Sequence, residues 1–184
     1  MKQHILPAIR ITLFSLFFFC GAYSLLILGI AQAAPNKGQG QTITINNKTI
    51  GYALEGQSFT KDLYFNGRPS AAGYNAAGSS ASNKGPSNPD YLKDVQNRID
   101  TFLVHNPEVK KEAIPSDLVT ASGSGLDPDI SVEAANVQVS RIAKVRNIDV
   151  AKIKSLVDTH IERPFLGIEK VNVLKLNIAL DQIK

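Results

Sequence analysis

The chain has 184 residues, 43% of them apolar, with one cysteine and a formal charge of +4. That fits one domain of about 150 residues plus an appendage, large enough to bury roughly 70% of its unfolded surface. The lone Cys20 excludes a disulfide framework. Leaving out Lys2 and Arg10, 18 of the 20 basic residues remain against 16 acidic ones, so no nucleic-acid-scale basic patch is expected.

The first 36 residues carry no acidic group, and no charge stands between Arg10 and Lys37. Ile11 to Ala34, ITLFSLFFFCGAYSLLILGIAQAA, would span about 36 Å as a helix, which covers a bilayer core of about 30 Å. Lys2, His4 and Arg10 ahead of the run favour a cytoplasmic N-terminus over residues 1–10, a transmembrane helix over 11–34 and an exported domain over 35–184. A cleaved signal peptide competes, because Ala31-Gln32-Ala33 before Ala34 satisfies the small-x-small cleavage pattern. Against it, the apolar core runs about 20 residues, whereas a signal peptide uses about 7 to 15. Both readings export the same domain, and Cys20, in mid-run behind Phe18 and Phe19, does not suit lipid attachment.

From Thr42, TITINNKTIGYAL alternates Ile43 and Ile45, turns at Asn46-Asn47-Lys48, and alternates again through Ile50, Tyr52 and Leu54, which predicts a β-hairpin. Gly67 to Asn88 is dominated by small and turn-forming residues, and a loop this long in a compact domain is usually functional or disordered. Its start, YFNGRPSAAGYN, carries Tyr64, Phe65, Arg68 and Tyr74, which a plain linker does not need. They either pin the loop to its own domain or offer a surface to something else.

Asn88-Pro89-Asp90 reads as a helix start, with Tyr91, Val95, Ile99, Phe102 and Leu103 on one face and Asn106-Pro107 as the stop. A second helix is expected after Ser131, with Ala135, Val139, Ile142 and Ala143 inward and Arg141, Lys144 and Arg146 solvated. A third runs from about Val150 through Ile153, Leu156, Val157, His160 and Ile161 to a stop at Pro164. The terminal VNVLKLNIALDQI fits either period, with a strand entering a short helix preferred. The fold class expected is α+β, with one transmembrane helix ahead of one exported domain.

No Gly-x4-Gly-Lys-Ser/Thr run occurs, and Gly123-Ser124-Gly125 reads as a tight turn without the strand and third glycine of a dinucleotide fingerprint. His4, His105 and His160 stand apart with no cysteine cluster, so no metal site is expected. Asp127 and Asp129 flank Pro128 and suit a cap and turn better than an acid/base couple or a cation site. Ser122 and Ser124 lack a nucleophile elbow, so no catalytic residue is expected either.

The strings GQSFTKDLYFNGRPSAAGYN, SNKGPSNPDYL, DLVTASGSGLDPDIS, AANVQVSRIAKVRN and VNVLKLNIALD, in that order, resemble the C subunit of the Kdp potassium-transporting P-type ATPase from the N-terminal helix to Asp181. The resemblance implies a single-pass protein of the bacterial inner (plasma) membrane that keeps its helix and moves no ion itself. It would assemble with a channel-like potassium-binding subunit, an ATP-hydrolysing subunit and a small single-span subunit, in contact with membrane lipid. It would also act as a catalytic chaperone that raises the ATP affinity of the hydrolysing subunit, sharing its ATP and holding no cofactor of its own.

By the same resemblance, a nucleotide contact would fall on Ser122, Gly123, Ser124 and Gly125, whose backbone amides could cradle a phosphate. An exported domain meets little ATP, so the alternative is a structural cap that assembles the complex or gates potassium entry. In either role Tyr64, Phe65, Arg68 and Tyr74 become candidates for subunit docking, with packing inside the domain as their other use. Ala81-Ser82-Asn83 and Ile168-Glu169-Lys170 depart from the family's GGSN-like and GEP-like turns.

Overall fold

The computed structural model describes residues 2–183 and separates into two units at the Gln41–Thr42 boundary. The first unit is one long helix: α1 (Lys2–Ser15), a π-helical stretch (Leu16–Ala22) and α2 (Tyr23–Ala33). At its junction the Tyr23 N–H donates to the Phe18 carbonyl five residues back, which is the π-type bond. His4–Ala33 has a mean hydropathy of 2.2 and is, among the described residues, the one helix long and apolar enough to cross a membrane. It stops where Ala34 turns extended (ψ 159°) ahead of Pro35, as the residue before a proline tends to do.

The second unit opens with the expected hairpin, β1 (Thr42–Ile45) against β2 (Lys48–Tyr52). Asn46 and Asn47 both take positive φ, 51° and 61°, the conformation a two-residue primed turn demands and asparagine tolerates. The register slips between Ile43 and Thr44, so Ile50 is an extra residue on β2, and Ile50, Tyr52 and Leu54 lie exposed while Gly51 and Ala53 are buried. Gly51 permits this close approach: a Cβ there would stand 1.7 Å from Gln57 Nε2 and 3.0 Å from Leu174 Cδ2.

Helix α3 (Pro89–His105) starts as expected, with Asn88 Oδ1 accepting the Tyr91 N–H at 3.0 Å and Pro89 in the first turn. Its apolar face is half-buried throughout. The expected single helix after Ser131 is two, α4 (Val132–Asn136) and α5 (Val139–Arg146). Ser131 Oγ caps the first by accepting the Ala134 N–H, and the break at Val137–Gln138 turns the Gln138 side chain toward the loop at Asn66. Helix α6 (Val150–Thr159) ends short of Pro164, because His160 closes it and Ile161 leaves to pair in a sheet.

That sheet is antiparallel, in the order β3 (Asp129–Ile130), β5 (Lys170–Asn172), β4 (Ile161–Glu162). Strand β5 runs straight into α7 (Val173–Gln182), capped by Asn172 Oδ1 on the Lys175 N–H at 3.0 Å. The core gathers Ile142, Ile153, Val157, Val171, Leu176 and Leu180 from these elements, and Phe65 from the loop joins them at 0% exposure. The unit is α+β, as expected.

Arg141 and Arg146 are not solvated as the helical pattern implied. Arg141 is 7% exposed, and Arg146 is half-buried under the same loop. Both compensate carbonyls of a segment that has no strand partner of its own.

Candidate functional site

Residues 62–68 have no strand or helix to satisfy their backbone, and three buried polar side chains do it instead. Asn177 Oδ1 accepts the Phe65 N–H at 2.8 Å while its Nδ2 donates to the Phe65 carbonyl at 3.0 Å. Gln138 treats Asn66 in the same way, accepting its N–H at 2.8 Å and donating to its carbonyl at 3.2 Å. Each amide thus imitates a neighbouring strand.

Arg141 completes the framework. Its Nη1 donates to the carbonyls of Asp62 and Tyr64, its Nη2 to Asn66 Oδ1 and Gln138 Oε1, and its Nε to Asn106 Oδ1 at 2.9 Å. Burial pushes its guanidinium pKa down, and the Asp62 carboxylate opposes that shift.

Of the four aromatic and basic candidates in the loop, Phe65 spends its whole surface in the core. The Tyr64 hydroxyl donates to Asp181 Oδ2 at 2.9 Å under the Arg146 guanidinium, 5.0 Å from its ring. The hydrogen bond to Asp181 is the main cause that raises its pKa, followed by burial. Arg68 Nη1 pairs with Asp127 Oδ2 at 2.9 Å, and its Nε is buried without a partner among the described residues. Tyr74, at φ 59°, donates its hydroxyl to the Arg68 carbonyl at 2.6 Å, and burial raises its pKa. Asp127 Oδ1 also accepts the Asp129 N–H, the turn expected from their spacing.

The structure brings this segment onto the Ser122–Gly125 turn, a pairing the sequence did not reveal. The Ser122 N–H donates to the Pro69 carbonyl at 3.0 Å, Ser70 Oγ to the Gly125 carbonyl at 2.6 Å, and Ser79 Oγ to the Ser124 carbonyl at 2.8 Å. Gly125 sits at φ +69°, where an added Cβ would lie 2.7 Å from the Ser80 carbonyl oxygen. Ser122 is buried, whereas Gly123 and Ser124 are exposed. The amides of Gly123 and Ser124 donate to no acceptor among the described residues, while Ser124 Oγ takes the Leu126 N–H. The two sets of candidates therefore meet in one surface, from which Phe65, Ser122 and Gly125 are excluded because they are buried beneath it.

Gln138, Arg141 and Asn177 went unread as site-forming residues. A signal existed for two of them: Gln138 lies four residues after Ala134, and Asn177 four after Val173 and three before Leu180, so both fall on core faces. A polar group there requires a buried partner.

A family profile described as "KdpC: K+-transporting ATPase, c chain" matches residues 5–182. A "Potassium-transporting ATPase KdpC subunit" of Flavobacterium johnsoniae is 56% identical over 99% of this chain and 100% of its own length. One of Flavobacterium psychrophilum is 54% identical over 99% and 100%. A more distant one from Caldanaerobacter subterraneus is still 42% identical over 100% and 98%. With residues 5–182 matched by one family and these relatives aligned along their whole lengths, the chain belongs to the KdpC family of K+-transporting ATPase c chains.

Proposed function

We propose that the chain is a non-catalytic accessory subunit of a potassium pump in the bacterial inner (plasma) membrane. Its N-terminus lies in the cytoplasm, its helix spans the bilayer, and its domain stands outside, docked on the channel-like and ATP-hydrolysing subunits beside the small single-span one. The observation that carries this reading is the joined surface of residues 64–74 and 122–125, strapped together and held from behind by Arg141, Gln138 and Asn177. A surface ordered in advance binds a partner without a large entropy cost on docking.

An external domain raises the ATP affinity of the hydrolysing subunit by favouring the assembled conformation that binds ATP well, and that coupling needs no nucleotide on this chain. ATP belongs to the hydrolysing subunit. The free amides of Gly123 and Ser124 favour a second reading, in which Ser122–Gly125 touches a phosphate directly. That reading requires the domain to face the cytoplasm.

Protease added to sealed spheroplasts separates the two. Digestion of the domain from outside is expected, together with an apparent ATP KM of the pump that rises several-fold when this chain is absent. Protection until lysis would reverse the topology and make Ser122–Gly125 the leading nucleotide contact. An unchanged ATP KM with loss of the complex would leave a purely structural cap.

A further inference from the structure

The loop joining β4 to β5 reads RPFLGIE, from Arg163 to Glu169. Phe165 is 100% exposed, Leu166 85% and Ile168 80%. The neck is tied by Arg163 Nε donating to Glu169 Oε1 at 2.8 Å. Single exposed apolar residues are ordinary on a soluble surface, but three large ones together on one tip mark a place that something covers.

The ground beside the tip decides what covers it. Ile168 and Glu169 also line a cleft of about 650 Å³ together with Glu112, Asp117, Asp127, Asp129 and Glu133, with Asp117 accepting the Ser131 N–H and hydroxyl. Six carboxylates stand there against Arg68 and Lys170, a net charge of −4. Asp127, Asp129 and Glu169 are ion-paired, whereas Glu112, Asp117 and Glu133 are in no ion pair among the described residues. A bilayer surface rich in anionic lipid would be repelled by this cleft, although the chain carries a membrane helix. A protein pocket that is apolar at its centre and rimmed by lysine and arginine fits both halves of the surface. Through Arg68 the cleft is continuous with the surface of residues 64–74.

We propose that Phe165, Leu166 and Ile168 insert into an apolar pocket on another subunit of the pump, with that subunit's basic rim seated over the Glu112–Asp117–Glu133 cleft. This rests on the reading that the domain docks on partner subunits, and it assigns the anchoring contact to the β4–β5 tip.

The test is a benzophenone amino acid at position 165 of the full-length chain, irradiated within the purified complex. Crosslinking to another pump subunit, at a peptide carrying Lys or Arg and with a yield that falls at high salt, is expected. Crosslinking to lipid, to a second copy of this chain or to nothing would overturn the proposal. In parallel, the double variant Phe165→Asp, Leu166→Asp should copurify the other subunits at least about tenfold less at an unchanged melting temperature. Normal copurification would overturn the tip assignment, and if the variant unfolds the crosslink decides alone. Failure of the unaltered chain to copurify with any other pump subunit would instead overturn the docking reading, so the two failures are distinguishable.

Discussion

Arg141 shows how one side chain can decide the shape of a distant loop. From a site 7% exposed it satisfies two loop carbonyls and three side-chain amides. Removing it leaves those largely part-buried groups short of a donor, and an unmet buried group costs about 1–3 kcal/mol. Arg141→Met is therefore expected to cost about 3 kcal/mol and to lower the melting temperature by roughly 10 °C. Asn177→Leu, which strips both backbone partners from Phe65, should cost about 2–4 kcal/mol. Lys144→Ala, on the exposed side of α5, should stay within about 0.5 kcal/mol. Thermal melts of the three variants check the ordering, and equal effects would show that the buried framework does not hold the loop.

Between elements, the strap from the 64–74 segment to the 122–125 turn depends on Gly125. Its positive φ and the Ser80 carbonyl 2.7 Å from a would-be Cβ leave alanine no relaxed position. Gly125→Ala should cost about 1–3 kcal/mol. It should also speed hydrogen exchange of the Ser122 amide, which donates to Pro69. Protection equal to wild type would sink the strap as a rigid unit.

The sheet edge beside α7 carries the pH dependence. The hydrogen bond from Lys175 is the main cause holding the Glu162 carboxyl below its ordinary value, against a smaller opposing effect of burial. That contribution is present above about pH 4.5 and is lost as pH falls through the lowered folded pKa. The Asp129 hydrogen bond is the main cause raising Lys170, whose contribution is present below about pH 10.5 and is lost as pH rises through its raised folded pKa. Both groups are partly exposed, so solvent screening keeps each effect small. Glu162→Gln should flatten the acid side of a plot of melting temperature against pH and shift the alkaline side less, because Asp129 remains the main partner of Lys170 when the smaller Glu162 contribution is lost.

For the whole molecule, the open question in the sequence was whether the first helix stays. A continuous apolar helix from His4 to Ala33 is far longer than a signal peptide's apolar core. The protein extracted from membranes should show the intact mass of all 184 residues. A mass beginning near Ala34 would mean that Ala31-Gln32-Ala33 is a working cleavage site.

Local chemistry was legible wherever a residue acts on its own neighbours. The Asn46-Asn47 turn, the Asn88 cap and the apolar helix follow from local propensities and periods, whereas the terminal segment fits either period and the Asn172 cap fixes where β5 gives way to α7. Long-range satisfaction of the backbone was not legible. Nothing near Arg141 in the chain announces that its partners are Asp62, Tyr64 and Asn66, because the demand comes from carbonyls more than seventy residues away. The same holds for Ile161, which fits a helix by its spacing but pairs with Val171, since a ladder closed by a distant strand outweighs one further helical turn.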